Sequence, residues 1–298
     1  MNIVPFPYAI PDEYIVADVP KKTNLFSKVH PGNRANYSFG PGEEEAYHAQ
    51  YRASRFAYTD KKGGWDCLRH YEILAAGCIP VFDNLEACPA NTMVTFPKAL
   101  VIAACAELLP WSADKEARYD YHVRRLLEHC RKHCSVSALT DRFLKHFPDA
   151  KRVLMIQCHA GENYTRELLA LGLRRRLGDA FIDYPKIEVL YKGCDLSKRH
   201  GNGFTYGGKL EDTIDRSDIE QRVVANEFDL VIYGKVGRDE LGEGTLPMAL
   251  WPISNSREQI AFLYGGDGCQ ELSNLYNPYT KHLFSHATKA ICFVRELL

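Results

Sequence analysis

Short runs of consecutive apolar residues alternate along this chain with longer stretches in which apolar residues recur every three or four positions. The continuous runs predict strands buried on both faces, and 228–234 (FDLVIYG) is the clearest of them. The spaced stretches predict amphipathic helices, such as the one from Asn163 to Leu177 that ends before Gly178. A strand at 152–158 precedes that helix, and this succession is typical of α/β proteins with parallel sheets.

The same alternation continues on both sides of a polar stretch at 145–152 (KHFPDAKR), which we interpret as a linker. We therefore predict two α/β units, residues 1–147 and 148–298, each a Rossmann-like doubly wound half, facing each other across a cleft. Before residue 55 the pattern predicts mainly loops. The predicted strands are 55–59, 79–82, 152–158, 187–191, 228–234, 259–264 and 290–294. The predicted helices are 43–51, 66–77, 116–133, 139–146, 163–177 and 216–226, with a mixture of strand and helix over 92–109.

The composition narrows the class of protein. Of the 298 residues, 46% are hydrophobic and 25% are charged, and the net charge is −1, which allows a core and gives no bulk attraction to nucleic acid. No apolar run approaches the ~20 residues of a membrane span, and the N-terminus lacks the pattern of a secretory signal. We expect a soluble cytoplasmic protein, or a piece of a longer one, whose ten cysteines are mostly buried free thiols.

One cysteine-containing segment has a second interpretation. In 129–134 (HCRKHC), His129 and His133 are four residues apart, as are Cys130 and Cys134, and four such side chains have the chemistry of a zinc site. No second pair with metal-ligand spacing accompanies them. We therefore predict no metal and interpret the segment as a helix end with exposed basic residues and buried thiols.

The strongest chemical signal is the run 61–81 (KKGGWDCLRHYEILAAGCIPV), which follows a strand predicted to end at Thr59. Glycines let the backbone approach a ligand, and lysines beside a helix N-terminus favour an anion, most naturally a diphosphate. The planar guanidinium of Arg69 can donate two hydrogen bonds to phosphate oxygens, and Glu72 can accept hydrogen bonds from two ribose hydroxyls. Without the rest of the motif, Arg69 and Glu72 would be interpreted as an ordinary surface ion pair. The candidate donor-site residues are Lys61, Lys62, Gly63, Gly64, Trp65, Asp66, Arg69, His70 and Glu72.

Residues 63–82 (GGWDCLRHYEILAAGCIPVF) resemble the donor-binding signature of exostosin-type glycosyltransferases, in which a Gly-rich turn leads to a helix with R-x-x-E and then a G-C-I-P-V strand. The resemblance is specific over 51–96 and only general beyond. It implies a GT-B-like pair of halves and a nucleoside-diphosphate sugar as donor. It also implies that Glu72 holds the ribose, that Arg69 lies near the diphosphate, and that an inverting transfer proceeds without a metal.

The chain departs from that family in two respects. At 298 residues it is short for two full halves, so its loops must be trimmed. The donor-like half comes first, whereas in GT-B enzymes it comes second. Either the order is circularly permuted, which costs little when the termini lie close together, or the second half serves another purpose.

An inverting transfer needs a base for the acceptor hydroxyl, and we expect it in the second half, just after a strand. His159 follows the first strand of that half and titrates near neutral pH, with Glu162 as a nearby rival. Asp267, flanked by glycines after the strand at 259–264, is the second candidate. A helix cap and a turn aspartate are the ordinary alternatives for His159 and Asp267.

We therefore predict a glycosyltransferase that moves a sugar from a nucleoside-diphosphate sugar to a glycan or another hydroxyl acceptor, with no further cofactor and no nucleic-acid partner. The Gly-rich loop 198–208, as a lid or an ordinary surface loop, and the cations Lys235 and Arg238 are secondary candidates. The alternative is a non-catalytic nucleotide- or sugar-binding module of a glycan-synthesis assembly. An oxidoreductase is disfavoured, because no GxGxxG turn with an acid ~20 residues on follows the strand at Val153.

Overall fold

The computed structural model describes residues 2–31, 39–40, 42–157, 162–195, 206–234, 259–266 and 290–297. These ranges contain parallel strands and connecting helices. The strands are β1 (Asn2–Pro5), β2 (Asn24–Phe26), β3 (Ser54–Tyr58), β4 (Ile79–Val81), β5 (Val153–Ile156), β6 (Phe181–Tyr184), β7 (Leu230–Tyr233), β8 (Ile260–Tyr264) and β9 (Ile291–Val294). The helices are α1 (Glu44–Arg52), α2 (Leu68–Ala75), α3 (Lys98–Leu108), α4 (Glu116–His129), α5 (Val136–Leu144), α6 (Tyr164–Leu177) and α7 (Ile219–Val224).

The larger sheet has six parallel strands in the order β1-β9-β8-β7-β5-β6. The chain runs from β5 outward to β6, returns across to β7 and continues to β8 and β9. The strand order therefore reverses between β5 and β7, and ligands of open parallel sheets bind at such a point, beyond the carboxyl ends of the strands. All four residues of β7 are buried, as a strand covered on both faces requires.

The first strand of the chain completes this sheet. Asn2 pairs with Ile291 and Pro5 with Val294, in parallel register. β1 therefore joins the sheet of the second half, although it precedes the predicted linker. The division at residue 147 stays a prediction, and one hydrophobic core includes Phe6, Phe143 and Phe293 from both sides of it.

The smaller sheet has three parallel strands in the order β2-β3-β4, with Phe26 opposite Phe56 and Phe56 opposite Ile79. Helix α2 connects β3 to β4 and ends at Ala75, and Gly77, two residues later, has a φ of +63°, which suits glycine. A Cβ at that position would lie 2.8 Å from Cδ of Pro20. Two parallel sheets with helical connections confirm the predicted α/β class.

Two sequence predictions of secondary structure were wrong or incomplete. The apolar stretch 187–191 is not a strand: it contains a 3₁₀ turn at Glu188–Leu190, and the strand is β6, seven residues earlier. Burial of the turn residues Val189 and Leu190 explains the misleading apolar pattern. The strands β1 and β2 were not predicted, because neither is a continuous apolar run: β1 (NIVP) contains Asn2 and Pro5, and β2 (NLF) has only two apolar residues.

In the described part of the chain, none of the helices combines the length and the apolar character needed to cross a bilayer. The cysteines within these ranges are free thiols, as predicted.

Candidate functional site

A pocket of about 280 Å³ lies at the carboxyl edge of the smaller sheet. It is formed by the residues that follow its three strands, which is where parallel α/β sheets bind ligands. Its lining consists of His30, Pro31, Tyr58, Thr59, Asp60, Lys61, Lys62 and Asp83.

The pocket has an aromatic wall. Tyr58, the last residue of β3, is 41% exposed, which is high for a large aromatic side chain on a strand. Its ring stacks on Phe26 with a centroid distance of 4.7 Å and an interplanar angle of 6°, and His30 lies 5.7 Å from it. One ring face is therefore supported by the sheet, and the side chain presents a planar surface to the pocket.

The pocket also has a cationic wall. Lys61 and Lys62 follow β3, and the Lys61 ammonium lies 5.2 Å from the centre of the Trp65 ring. The backbone N–H of Lys62 donates to the carbonyl of Gly64 at 3.0 Å and closes the turn. The two acids of the lining are Asp60, which accepts a hydrogen bond from the Lys61 N–H at 2.7 Å, and Asp83.

Thr59 connects the pocket to helix α2 through a chain of hydrogen bonds. Nε of Arg69 donates to the Thr59 hydroxyl oxygen at 3.2 Å, and this hydroxyl lies 3.0 Å from Nδ1 of His70. Because Nε2 of His70 lies 3.0 Å from the carbonyl of Trp65, which only accepts, Nε2 carries the proton and Nδ1 accepts from Thr59. Burial, reinforced by the nearby Arg69, lowers the pKa of His70 to about 3, so the imidazole is neutral.

Asp66 faces the protein interior. Its Oδ2 accepts from the backbone N–H of Tyr8 at 2.8 Å, and its Oδ1 accepts from the Tyr71 hydroxyl at 2.7 Å. Burial raises the pKa of this carboxyl to about 6, against the opposing effect of the nearby Arg295 and these hydrogen bonds. Asp66 therefore holds the N-terminal segment against the start of α2.

The glycine turn is filled by a side chain of the protein itself. Oε1 of Glu296, just beyond β9, accepts from the backbone N–H of Asp66 at 2.7 Å, and a Cβ on Gly64 would lie 2.2 Å from the same oxygen. Glu296 is fully buried, and its Oε2 has no hydrogen-bond partner among the described residues. The close approach that Gly64 permits is therefore to the carboxyl group of Glu296, which belongs to the chain itself.

Arg295 binds this turn to the carboxyl edge of the larger sheet. Its guanidinium donates to the carbonyls of Asp66 and of Gly266, the latter at 2.8 Å, and lies 4.7 Å from the centre of the Tyr8 ring. Nη1 also lies 3.1 Å from Oε1 of Glu296. The carboxyl ends of β8 and β9 therefore contact the segment that follows β3.

Glu72 also makes its hydrogen bonds inside the protein. The hydroxyls of Tyr47 and Tyr206 donate to its two carboxylate oxygens at 2.6 Å and 2.8 Å, and only 5% of the residue is exposed. Burial raises the pKa of the Glu72 carboxyl. Tyr206 belongs to the Gly-rich loop 198–208, of which the structure describes residues 206–208.

The structure thus divides the predicted donor-site residues among four places. Lys61 and Lys62 line the pocket, and Gly63 is exposed beside them. Gly64 and Asp66 lie against Glu296, just beyond β9, and Trp65 between them is buried. Arg69 and His70 bond the Thr59 hydroxyl, and Glu72 is enclosed by tyrosines. His159, Asp267, Lys235 and Arg238 lie outside the described residues, and their roles stay predictions. The sequence reasoning missed His30, Tyr58, Asp60 and Asp83, although each is on or just beyond the carboxyl end of a small-sheet strand.

The alternative zinc segment is arranged differently from a metal site. Cys130–Cys134 forms a π-helical turn after α4 with both thiols buried. His129 Nε2 and the Cys134 thiol both bond the carbonyl of Thr95, at 2.8 Å and 3.2 Å. In the ranges described, no group of His, Cys, Asp and Glu side chains has the arrangement to hold a metal ion.

No protein-family model matches the chain, and a search of curated proteins finds no matching relative.

Proposed function

We propose that this chain is a glycosyltransferase that uses a nucleoside-diphosphate sugar, with the donor bound in the pocket at the carboxyl edge of β2, β3 and β4. The observation that carries the proposal is the chemistry of that pocket. A supported aromatic face, two lysines and two carboxylates surround one cavity at the usual ligand position of a parallel sheet.

For each part of a nucleotide, the pocket lining contains a side chain of suitable chemistry. The Tyr58 ring offers a stacking surface for the nucleobase. Lys61 and Lys62 supply positive charge to the diphosphate, both in the bound donor and as charge grows on the leaving group. Asp60 and Asp83 are the carboxylates available to the ribose hydroxyls, a role that the family resemblance gives to Glu72.

The GT-B-like arrangement is part of the proposal. The carboxyl edge of the larger sheet contacts the turn after β3 through Arg295, so the acceptor would approach from the side of β5 and β8. His159 and Asp267, which follow those strands in sequence, remain the predicted bases. The base removes the proton of the acceptor hydroxyl, the oxygen bonds to the anomeric carbon, and the bond from that carbon to the diphosphate oxygen breaks.

One observation departs from the family resemblance, and it applies equally to the enzyme and to the non-catalytic alternative. Both oxygens of Glu72, the residue assigned to the ribose by resemblance, are occupied by tyrosine hydroxyls. A binding module would use the same pocket without turnover.

Calorimetric titration with UDP, GDP and CDP tests the binding step. We expect one of them to bind, and the double variant Lys61→Gln/Lys62→Gln to weaken its affinity at least tenfold, since each lost cation removes on the order of 1 kcal/mol of charge-assisted interaction. The matched control is Lys115→Gln/Arg118→Gln, at the start of α4, where Glu116 bonds Arg55 near the amino end of β3. Equal weakening in both variants, or no binding by the unaltered protein, would overturn the proposal.

Turnover separates the enzyme from the binding module. The nucleoside-diphosphate sugar that corresponds to the bound nucleotide is incubated with hydroxyl acceptors. The release of the nucleoside diphosphate is then measured. We expect release that is lost in His159→Ala or in Asp267→Asn with donor affinity kept. Binding without release would support the non-catalytic module.

A further inference from the structure

A second cavity, of about 680 Å³, lies along the exposed side of α5 and the preceding π-helical turn. It is separate from the pocket of the small sheet and shares no residue with it. Four cations line it: Arg131, Lys132, Arg142 and Lys145.

The acids of this groove are already engaged by the protein. Oδ2 of Asp12 accepts from the backbone N–H of Ser137 at 3.1 Å, in the first turn of α5. Asp141 forms an ion pair with Arg176, a cation outside the groove lining. Neither carboxylate is committed to a lining cation.

The cations, by contrast, keep their charge available. Within the described ranges, Lys132, Arg142 and Lys145 have no side-chain hydrogen bond and no ion pair. Arg131 donates to the backbone carbonyls of Val16 and Ala17, which orients its guanidinium without neutralising it. A concave surface with several such cations concentrates positive potential.

His133, which also lines the groove, lies close enough to these cations for them to affect its titration. Its pKa is lowered by burial and by the neighbouring His129, Lys132 and Arg142. An anion bound among these cations would oppose that effect.

We propose that the groove along α5 binds a small, multiply charged phosphate-containing anion, by means of Arg131, Lys132, Arg142 and Lys145. The volume lies in the range of small-molecule sites. Arg142 offers a planar fork for phosphate oxygens, and the lysines act as point charges. A long nucleic acid is disfavoured, because the net charge of the chain is −1 and gives no general attraction to a polyanion.

The test uses inorganic tripolyphosphate as the probe. Its affinity is measured by calorimetry at 0.15 M salt for the unaltered chain, for Arg142→Gln/Lys145→Gln, and for the control Lys115→Gln/Arg118→Gln. The control cations lie about 20 Å away at the other end of α4, because a 14-residue helix rises ~1.5 Å per residue. We expect at least a tenfold loss of affinity in the groove variant and no change in the control.

A second readout is the His133 imidazole, followed by NMR through a pH titration with and without the probe. We expect the pKa of His133 to rise when tripolyphosphate binds to the unaltered chain, and to rise much less in Arg142→Gln/Lys145→Gln. Equal affinity of both variants, an unmoved His133, or single-stranded RNA binding more tightly than tripolyphosphate at the same groove would overturn the proposal. Donor binding in the small-sheet pocket is measured separately, so either proposal can fail alone.

Discussion

Two adjacent parts of one segment differ in what their polar groups do. Residues 58–63 lie at the edge of the small sheet, where an exposed tyrosine and two exposed lysines border a pocket. Residues 64–72 also carry polar side chains, but Asp66, Arg69, His70 and Glu72 are buried and bonded to other parts of the chain. Asp66 accepts a hydrogen bond from the backbone of Tyr8, just after β1, and Glu72 accepts hydrogen bonds from two tyrosine hydroxyls.

The difference shows that a glycine next to a helix start has two distinct physical uses. Gly63 is exposed beside the lysines, whereas Gly64 makes room for the Glu296 carboxylate. Gly64 brings the Glu296 carboxylate close to the backbone, and under the proposed function Gly63 would leave room for the diphosphate of the donor. Variants of the buried part (residues 64–72 and their partners) should change the free energy of unfolding. Variants of the exposed part (residues 58–63) should change the affinity for nucleotide.

The largest effect is expected from Glu296→Ala. The change leaves the Asp66 N–H without its acceptor and Arg295 without its buried carboxylate, a loss that costs about 3–5 kcal/mol. Urea denaturation measures the free energy of unfolding. Glu86→Ala, which removes an exposed acid, is the control. A Glu296→Ala protein as stable as this control would mean that Glu296 does not join the two sheets.

The second prediction concerns pH. The folded-state pKa of Asp66 is about 6, above the ordinary value of 3.8, so between these values the folded protein binds the extra proton. The contribution of Asp66 to stability is therefore greatest near pH 4 and falls as pH rises through about 6, by roughly 2–3 kcal/mol. Asp66→Asn lacks this titration.

Unfolding free energies of both proteins from pH 4 to 7 provide the check. Subtracting the free energy of unfolding of Asp66→Asn from that of the unaltered protein removes the contribution of all other groups. This difference should decrease as pH rises. A difference independent of pH would show that Asp66 is not the buried carboxyl described above.

Gly64→Ala tests the closed turn itself. The new methyl group would overlap Oε1 of Glu296, and such overpacking costs about 1–3 kcal/mol. Introduced into Glu296→Ala, the same change should cost much less, because the overlapping atom is gone. Equal costs in the two backgrounds, measured in a double-mutant cycle, would contradict the assigned contact.

The smallest effect is expected in the exposed part. Tyr58→Ala should weaken nucleotide binding about five- to tenfold through loss of a stacking surface worth about 1 kcal/mol, while Tyr58→Phe keeps it. Because Tyr58 is 41% exposed, the stability should change little. Loss of affinity in the Phe variant as well would point to the hydroxyl rather than to stacking.

Much of the fold was predictable because most of its strands lie in continuous apolar runs that are largely buried. The runs that became β3, β4, β5, β7, β8 and β9 all predicted strands at nearly the observed positions. Pairing of β1 with β9 was not predictable by local pattern, because it joins residues almost a chain length apart.

The candidate site was predictable only in part, for a physical reason. Residue type and spacing show that Asp66, Arg69 and Glu72 share a helix, but not which side chains from distant segments face them. Tyr206 and Glu296 lie 134 and 230 residues from Glu72 and Asp66, and they complete those bonds. Lys61 and Lys62 could be identified from the sequence because they closely follow β3, and a position just after a strand is enough to place them at the sheet edge.

The most direct test is a crystal structure with the nucleoside diphosphate that binds. We predict the diphosphate within hydrogen-bond distance of the Lys61 and Lys62 ammonium groups, the base against Tyr58, and Glu296 still bonded to the N–H of Asp66. A diphosphate on the amides of residues 64–66 with Glu296 displaced, or a nucleotide bound away from the small sheet, would contradict this account.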